Sequence, residues 1–257
     1  MTRLSVNVNK VATLRNARGG DVPNVCEAVA ACVKAGARGI TVHPRADERH
    51  ITRRDVMQVA AHLRETAPEV EFNIEGDPTA DFVDLVVEAR PQQCTLVPVV
   101  PGEVTSQAGW SASTSPERLV AVIARLHAEG IRVSVFVDPE EAPIRWAKRL
   151  GADRVELYTE PFAKGFARSC EHGQSSFETY AAASTLAHTL GLGVNAGHDL
   201  DLNNLVVFRE LPHLDEVSIG HALIAHALYV GLDRAVRDYL AAVGGREDQL
   251  SSTQVIK

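Results

Sequence analysis

The chain has 257 residues and is 45% hydrophobic, enough for one large α/β domain with a sizeable core. Its 26 Lys and Arg against 33 Asp and Glu give a formal charge of -7, which argues against nucleic acid as a partner. No apolar run reaches the roughly 18–20 residues of a membrane span, so no membrane partner is expected either.

The N-terminus "MTRLSVNVNK" lacks a signal-peptide core, and Cys26, Cys32, Cys94 and Cys170 show no CxxC spacing. Reduced thiols in a cytoplasmic protein are the expectation. In chain order, the pattern predicts a strand at Leu4–Val8, a long loop, a helix at Asn24–Ala35 and a strand at Gly39–His43. Helix Arg53–Glu65, strand Val70–Glu75, helix Thr79–Ala89 and strand Gln93–Pro98 follow. Next come helix Ser115–Glu129, strand Arg132–Asp138, helix Glu140–Leu150 and strand Arg154–Thr159. Helix Ser176–Leu190, strand Gly193–Gly197, helix Asn203–Glu210, strand Glu216–Gly220 and helix Ala222–Val243 complete the series. "AGARGITVH", "AEGIRVSVF", "RLGADRVEL" and "TLGLGVNAG" each put glycine between a helix end and a strand, where a left-handed C-cap belongs.

Eight βα units without a composition break predict a single-domain (β/α)8 TIM barrel over residues 1–243, followed by a flexible tail, 244–257. An open doubly wound sheet is the weaker reading, since no GxGxxG follows the first strand.

In a barrel, chemistry sits where strands meet the βα loops. The first strand ends near Asn7 and Asn9, followed by Lys10, Arg15, Asn16 and Arg18. The second ends at His43 and opens the loop "HPRADERH" with Arg45, Arg49 and His50. Glu75 ends the third, and Asp77 is read as the cap of the next helix, which frees Glu75 from that duty. The fourth leads into Val99–Thr114, a Gly/Ser/Thr-rich loop with Glu103 and Thr105. Glu156, between Val155 and Leu157, must point away from both; a buried carboxylate there is either functional or paired with an arginine. "GLGVNAGHDL" and "EVSIGHALI" end the last two strands in Gly-His pairs at His198 and at Gly220-His221. Loops in those places often cradle phosphate, with glycine letting the backbone approach and histidine supplying a proton. The arginines of "HPRADERH" could hold a second anion.

A metal centre is not expected. His43, Glu75, Asp138 and His198 all stand at strand ends, but no HxH closes the first strand, and Asp201 is better read as capping the helix near Asn203. The lysines, Lys10, Lys34, Lys148, Lys164 and Lys257, all lie outside predicted strands, which disfavours a Schiff base.

"NKVATLRNARGG", "GITVHPRADERHI", "EFNIEG", "LVPVVPGEVTSQAG", "VELYT", "VNAGHDL" and "SIGHALI" together resemble the pyridoxine 5'-phosphate synthase family of bacterial vitamin B6 biosynthesis, in order, from about Leu4 to Val243. The resemblance implies a barrel that condenses 1-deoxy-D-xylulose 5-phosphate with 3-amino-2-oxopropyl phosphate to pyridoxine 5'-phosphate, phosphate and water, using no metal and no cofactor. It implies acid/base roles for His43, Glu75 and His198, with Glu156 added by its place in the strand. Substrate and phosphate contacts are implied at Asn7, Arg18, Arg45, His50, Thr105, Gly220 and His221. It also implies a homo-octamer in which Arg18 reaches a neighbour's site.

The chain departs from the commoner family pattern in several places. Asn9-Lys10 replaces Asp-His, and both are kept as candidate contacts. Asp199 replaces a glycine after the histidine of "NAGH"; near a phosphate it must turn away or repel. Glu160 replaces another glycine, and Tyr158 a histidine. Two other functions fit the same barrel. A phosphosugar isomerase or epimerase would need one substrate, and a phosphometabolite-binding regulator could dispense with His43 and Glu75.

Overall fold

The computed structural model describes residues 2–99 and 108–244. Among them, parallel strands β1 (Arg3–Asn7), β2 (Gly39–Val42), β3 (Glu71–Gly76) and β4 (Gln93–Leu96) run in sequence order. Strands β5 (Arg132–Val137), β6 (Arg154–Leu157), β7 (Gly193–Gly197) and β8 (Leu214–Ile219) continue the order, and β8 pairs with β1 to close the barrel.

Helices α1 (Asn9–Asn16), α2 (Val25–Ala35), α3 (Arg53–Thr66), α4 (Ala80–Ala89), α5 (Glu117–Ala128) and α6 (Glu141–Leu150) alternate with the strands. They are followed by α7 (Glu160–Arg168), α8 (Cys170–Thr189), α9 (Leu205–Phe208), α10 (His221–Val230) and α11 (Leu232–Gly244). Gly36, Gly130, Gly151 and Gly191 all take positive φ between helix and strand, as the sequence requires.

Several elements differ from expectation. The long loop after β1 is the helix α1, whose polar sequence "NKVATLRN" buries only Val11 and Ala12 and so carries no apolar period. Helix α7 had no counterpart in the pattern, and α8 starts at Cys170 rather than Ser176. The helix expected over Ala222–Val243 is two, divided at Gly231 with φ 86. Thr79, not Asp77, caps α4, its hydroxyl accepting from Phe82 N–H; Asp77 instead lies 3.7 Å from Arg118. Thr105 and Glu103 lie outside the described residues with 100–107 of their loop, as does the tail 245–257.

Strand parity decides what faces the site. Ile40, Val42, Ile74, Leu96, Val135, Val155, Leu157 and Val217 are buried in the main apolar core. Their alternates Ser5, Thr41, Asn73, Thr95, Ser134, Asn195 and Ser218 are buried polar residues, as the two-residue period of a strand dictates. Ser5 and Thr41 hydroxyls are 2.8 Å apart, and Thr95 donates to Asn73 at 3.1 Å. Below them Arg3, Arg132 and Glu71 form ion pairs of 3.0 and 2.6 Å. This barrel is therefore lined by hydrogen-bonded polar groups, where branched apolar residues are usual.

Candidate active site

A cavity of about 740 Å³ opens at the C-terminal ends of the strands. His43 enters it from the residue after β2, Glu75 from β3, Glu156 from β6 and His198 from the residue after β7. Asn9 fixes the first of these, because its side-chain oxygen accepts the His43 backbone N–H at 2.9 Å while Asn7 accepts from Asn9 N–H at 3.1 Å. An asparagine at position 9 thus keeps an acceptor for the loop, and its amide adds donors.

His43 Nδ1 lies 3.7 Å from Glu75 Oε2. Burial, then Arg45, His50 and His198, push the imidazole down to about 3. Burial, then Glu156 and Glu216, hold the Glu75 carboxyl well above its usual range. Both shifts favour the uncharged forms, so burial opposes the ion pair that the geometry suggests. His43 Nε2 is buried without a hydrogen-bond partner among the described residues.

Glu156 has no arginine partner among the described residues, so the structural pairing is not built. Burial raises it to about 7, partly offset by His198 and the Thr95 hydroxyl. His198 is also raised, but toward its charged form: a 3.0 Å contact between its Nδ1 and Asp199 Oδ2 favours the imidazolium, against burial. The carboxylate of Asp199 is thus turned onto the imidazole. Tyr158 and Glu160, the other two departures, pair with each other at 2.7 Å, and Lys164 joins Glu160 at 3.0 Å.

The two Gly-His pairs divide their work. His198 N–H donates to Ser218 O and Asp199 N–H to Gly197 O, so that turn has spent its backbone donors. Gly220 instead stands at the start of α10 with no side-chain cap, and its Cβ position would lie 3.1 Å from Asn7. The first N–H groups of α10, with His221 and Ala222 on the cavity wall, are therefore open to an anion.

Lys10, Arg45 and Arg49, beyond the ends of β1 and β2, make the neighbouring rim cationic, and His50 stands among them. His50 Nδ1 accepts from Ile51 N–H, which leaves the proton on Nε2, and burial with Lys10 and Arg45 lowers the ring to about 4. This loop is tied down from α1. Arg15 grips Asp55 with both guanidinium nitrogens and also donates to His50 O, while Asn16 donates to His50 O at 2.8 Å. Asp55 in turn closes a capping box with Thr52. Sequence reasoning missed that fastening, and it also missed Val97 and Phe136 on the cavity wall. Arg18 is exposed and outside the lining of its own cavity.

The closed barrel and the acid/base cluster at its mouth define a class, the (β/α)8-barrel enzymes. Residues 4–245 match the family described as Pyridoxal phosphate biosynthesis protein PdxJ. The Pyridoxine 5'-phosphate synthase of Porphyromonas gingivalis is 52% identical over 240 residues, covering 93% of this chain and 98% of that protein. Its namesake from Leptospira biflexa is 49% identical over 250 residues, covering 93% and 96%. The chain belongs to the pyridoxine 5'-phosphate synthase family of vitamin B6 biosynthesis. Phosphoribosyl anthranilate isomerase from Thermotoga maritima shares only the fold, with a TM-score of 0.59 at 14% identity, covering 96% of this chain and 100% of that one.

Proposed function

We propose that this chain condenses 1-deoxy-D-xylulose 5-phosphate with 3-amino-2-oxopropyl phosphate to pyridoxine 5'-phosphate, phosphate and water. The observation that carries this is the buried His43–Glu75 contact at 3.7 Å, set in a cavity that also holds a cationic rim and the open start of α10. Ring closure from an amine and two carbonyl compounds runs through imine formation, proton abstraction beside the imine, phosphate loss, aldol closure and dehydration. Nearly every step moves a proton, so groups poised near neutrality are needed. His43, Glu75, Glu156 and the Asp199-supported His198 share this acid/base work, with Glu156 raised to about 7. Departing phosphate is held by the α10 N–H groups and His221, the other phosphate by Arg45 and His50. Neither a metal nor an organic cofactor enters. The reaction belongs in the cytoplasm, where Cys26, Cys32 and Cys94 remain free thiols.

The test is to mix both phosphorylated substrates with purified protein and follow the pyridine absorbance of the product. Glu75→Gln should cut the rate by about 10²–10⁴; a variant with half the normal rate removes Glu75 from the mechanism. The chain works as a homo-oligomer, expected to be an octamer, with Arg18 serving the neighbouring site, since it lies outside its own cavity. Arg18→Ala and Glu75→Gln subunits, dissociated and reassembled together, should regain activity that neither has alone. Verified hybrids without any gain refute the shared site.

A further inference from the structure

Inward-facing positions of this barrel are polar almost to the rim. On β4 they are Gln93 and Thr95, and on β5 Arg132 and Ser134. One step higher the character changes. Val97 and Phe136 follow in the same parity, and with Tyr158 they form an apolar cluster separate from the main core, each only 5% exposed. Phe136 and Tyr158 meet edge to face at 5.6 Å. Among the described residues of the cavity wall, Val97 and Phe136 are the large apolar side chains.

Their place is specific. Phe136 is the register partner of Glu156, and Val97 N–H donates to Gly76 O, the residue after Glu75. The apolar wall therefore spans the interval between the two carboxylates, across the barrel from β8 and β1, where α10 begins. The backbone and ring groups behind it are already engaged. Trp110 donates through its backbone to Phe136 O and through its indole to Leu96 O. Tyr158 spends its N–H on Val137 O, its carbonyl on the Tyr180 hydroxyl and its own hydroxyl on Glu160.

We propose that Val97 and Phe136, backed by Tyr158, seat the methyl carbon beside the ketone of the sugar substrate, and so select a 1-deoxy ketose over its C1-hydroxylated counterpart. This rests on the condensation proposed above. A methyl group needs no partner on such a wall. A hydroxyl seated against it gives up its water for apolar side chains that offer no hydrogen bond, which is the penalised case. The amine must attack the carbon that bears the methyl, so seating the methyl also aims the ketone at the acid/base groups on either side. An apolar wall rejects an added hydroxyl by only about 10², so the expected selectivity is of that order.

The test compares kcat/KM for 1-deoxy-D-xylulose 5-phosphate and D-xylulose 5-phosphate, each with the same amino phosphate. Equilibrium binding of each ketose alone is measured in parallel, with folding checked by circular dichroism. The native protein should prefer the deoxy sugar by about 10². Val97→Thr, nearly isosteric but with a hydroxyl, should cut that ratio at least about tenfold, and so should Phe136→Asn on the neighbouring strand. Val97→Ile should hold the ratio within about threefold, because it keeps the wall apolar. A native ratio near one, or an unchanged ratio in whichever of the two polar variants folds, overturns the proposal. If the native protein makes no pyridine from the deoxy sugar, the condensation itself is wrong and this inference falls with it. Product formed with no selectivity rejects the methyl seat alone.

Discussion

His198 adopts φ 57, in left-handed backbone that non-glycine residues seldom take. The turn survives because His198 N–H reaches Ser218 O at 3.1 Å and Asp199 N–H reaches Gly197 O at 2.9 Å. Placed this way, the Asp199 carboxylate supports the imidazole and raises its proton affinity. The sequence showed that a carboxylate there had to turn away from an anion, but only the left-handed turn shows where it goes. The sign of the effect is definite. A neighbouring carboxylate favours the imidazolium, so His198 titrates above its ordinary 6.5. Its contribution to folding is fully present below that value and is lost as pH rises through the raised one. With the side chain 47% exposed, that contribution is small. Asp199→Asn should lower the His198 midpoint in an NMR titration and move the matching limb of the rate profile to lower pH. An unchanged midpoint would remove Asp199 from this role.

The element that matters most beyond the strands is α1. Periodicity located all eight strands to within two residues at each end, because their outer faces are largely Val, Ile and Leu and glycines mark the turns before β2, β5, β6 and β7. It could not find α1, which is held to the β2–α3 loop by hydrogen bonds instead of an apolar stripe. Likewise α7 follows β6 with Phe162 as its one fully covered anchor, too little for a pattern to register. The candidate residues at strand ends were legible because barrel topology says where to look; the wall at Val97 and Phe136 was not, because apolar residues ending a strand look like core. Arg15 was visible, but not as a fastener. It lies 12% exposed beside Asp55 at 5%, and breaking such a buried pair costs about 3 kcal/mol or more. Arg15→Ala should therefore lower stability by that order. It should also raise KM more than it lowers kcat, since the loop bearing Arg45 and His50 loses its anchor. Arg15→Lys should rescue little, because an ammonium cannot reproduce the two-nitrogen grip on Asp55. An unaltered KM in Arg15→Ala would show that the loop holds its shape unaided.

At the scale of the whole barrel, a polar column runs from the catalytic mouth to the opposite end. Glu75 and Glu156 stand at the top, and Glu71 and Glu216 lie among Arg3, Arg132 and Arg154 at the bottom. Glu216 is 2% exposed, and burial, then Glu71, raise it to about 8, with Arg3 and Arg154 pulling the other way. Arg3 is 3.5 Å from its Oε2, too far to compensate fully. A carboxyl raised on folding makes stability depend on pH in a fixed direction. Below its ordinary 4.5 both states carry the proton and nothing is lost. Above that value the unfolded chain ionises first, so stability falls until pH passes the folded value. Glu75 and Glu156 act with the same sign, while Glu71, lowered by its arginines despite burial, loses its contribution only as pH falls. Glu216 alone should therefore cost on the order of 2 kcal/mol or more of stability between pH 5 and pH 8, against the opposite trend of His43 and His50, whose lowered imidazoles make stability rise up to about their ordinary 6.5. Glu216→Gln, lying away from the cavity lining, is the discriminating variant. It should match the native chain at pH 5, where Glu216 is already neutral, and lose less between pH 5 and pH 8. Parallel stability curves for the two proteins would mean that Glu216 keeps its charge in the barrel, held by Arg3 and Arg154, and that the column is ionic throughout.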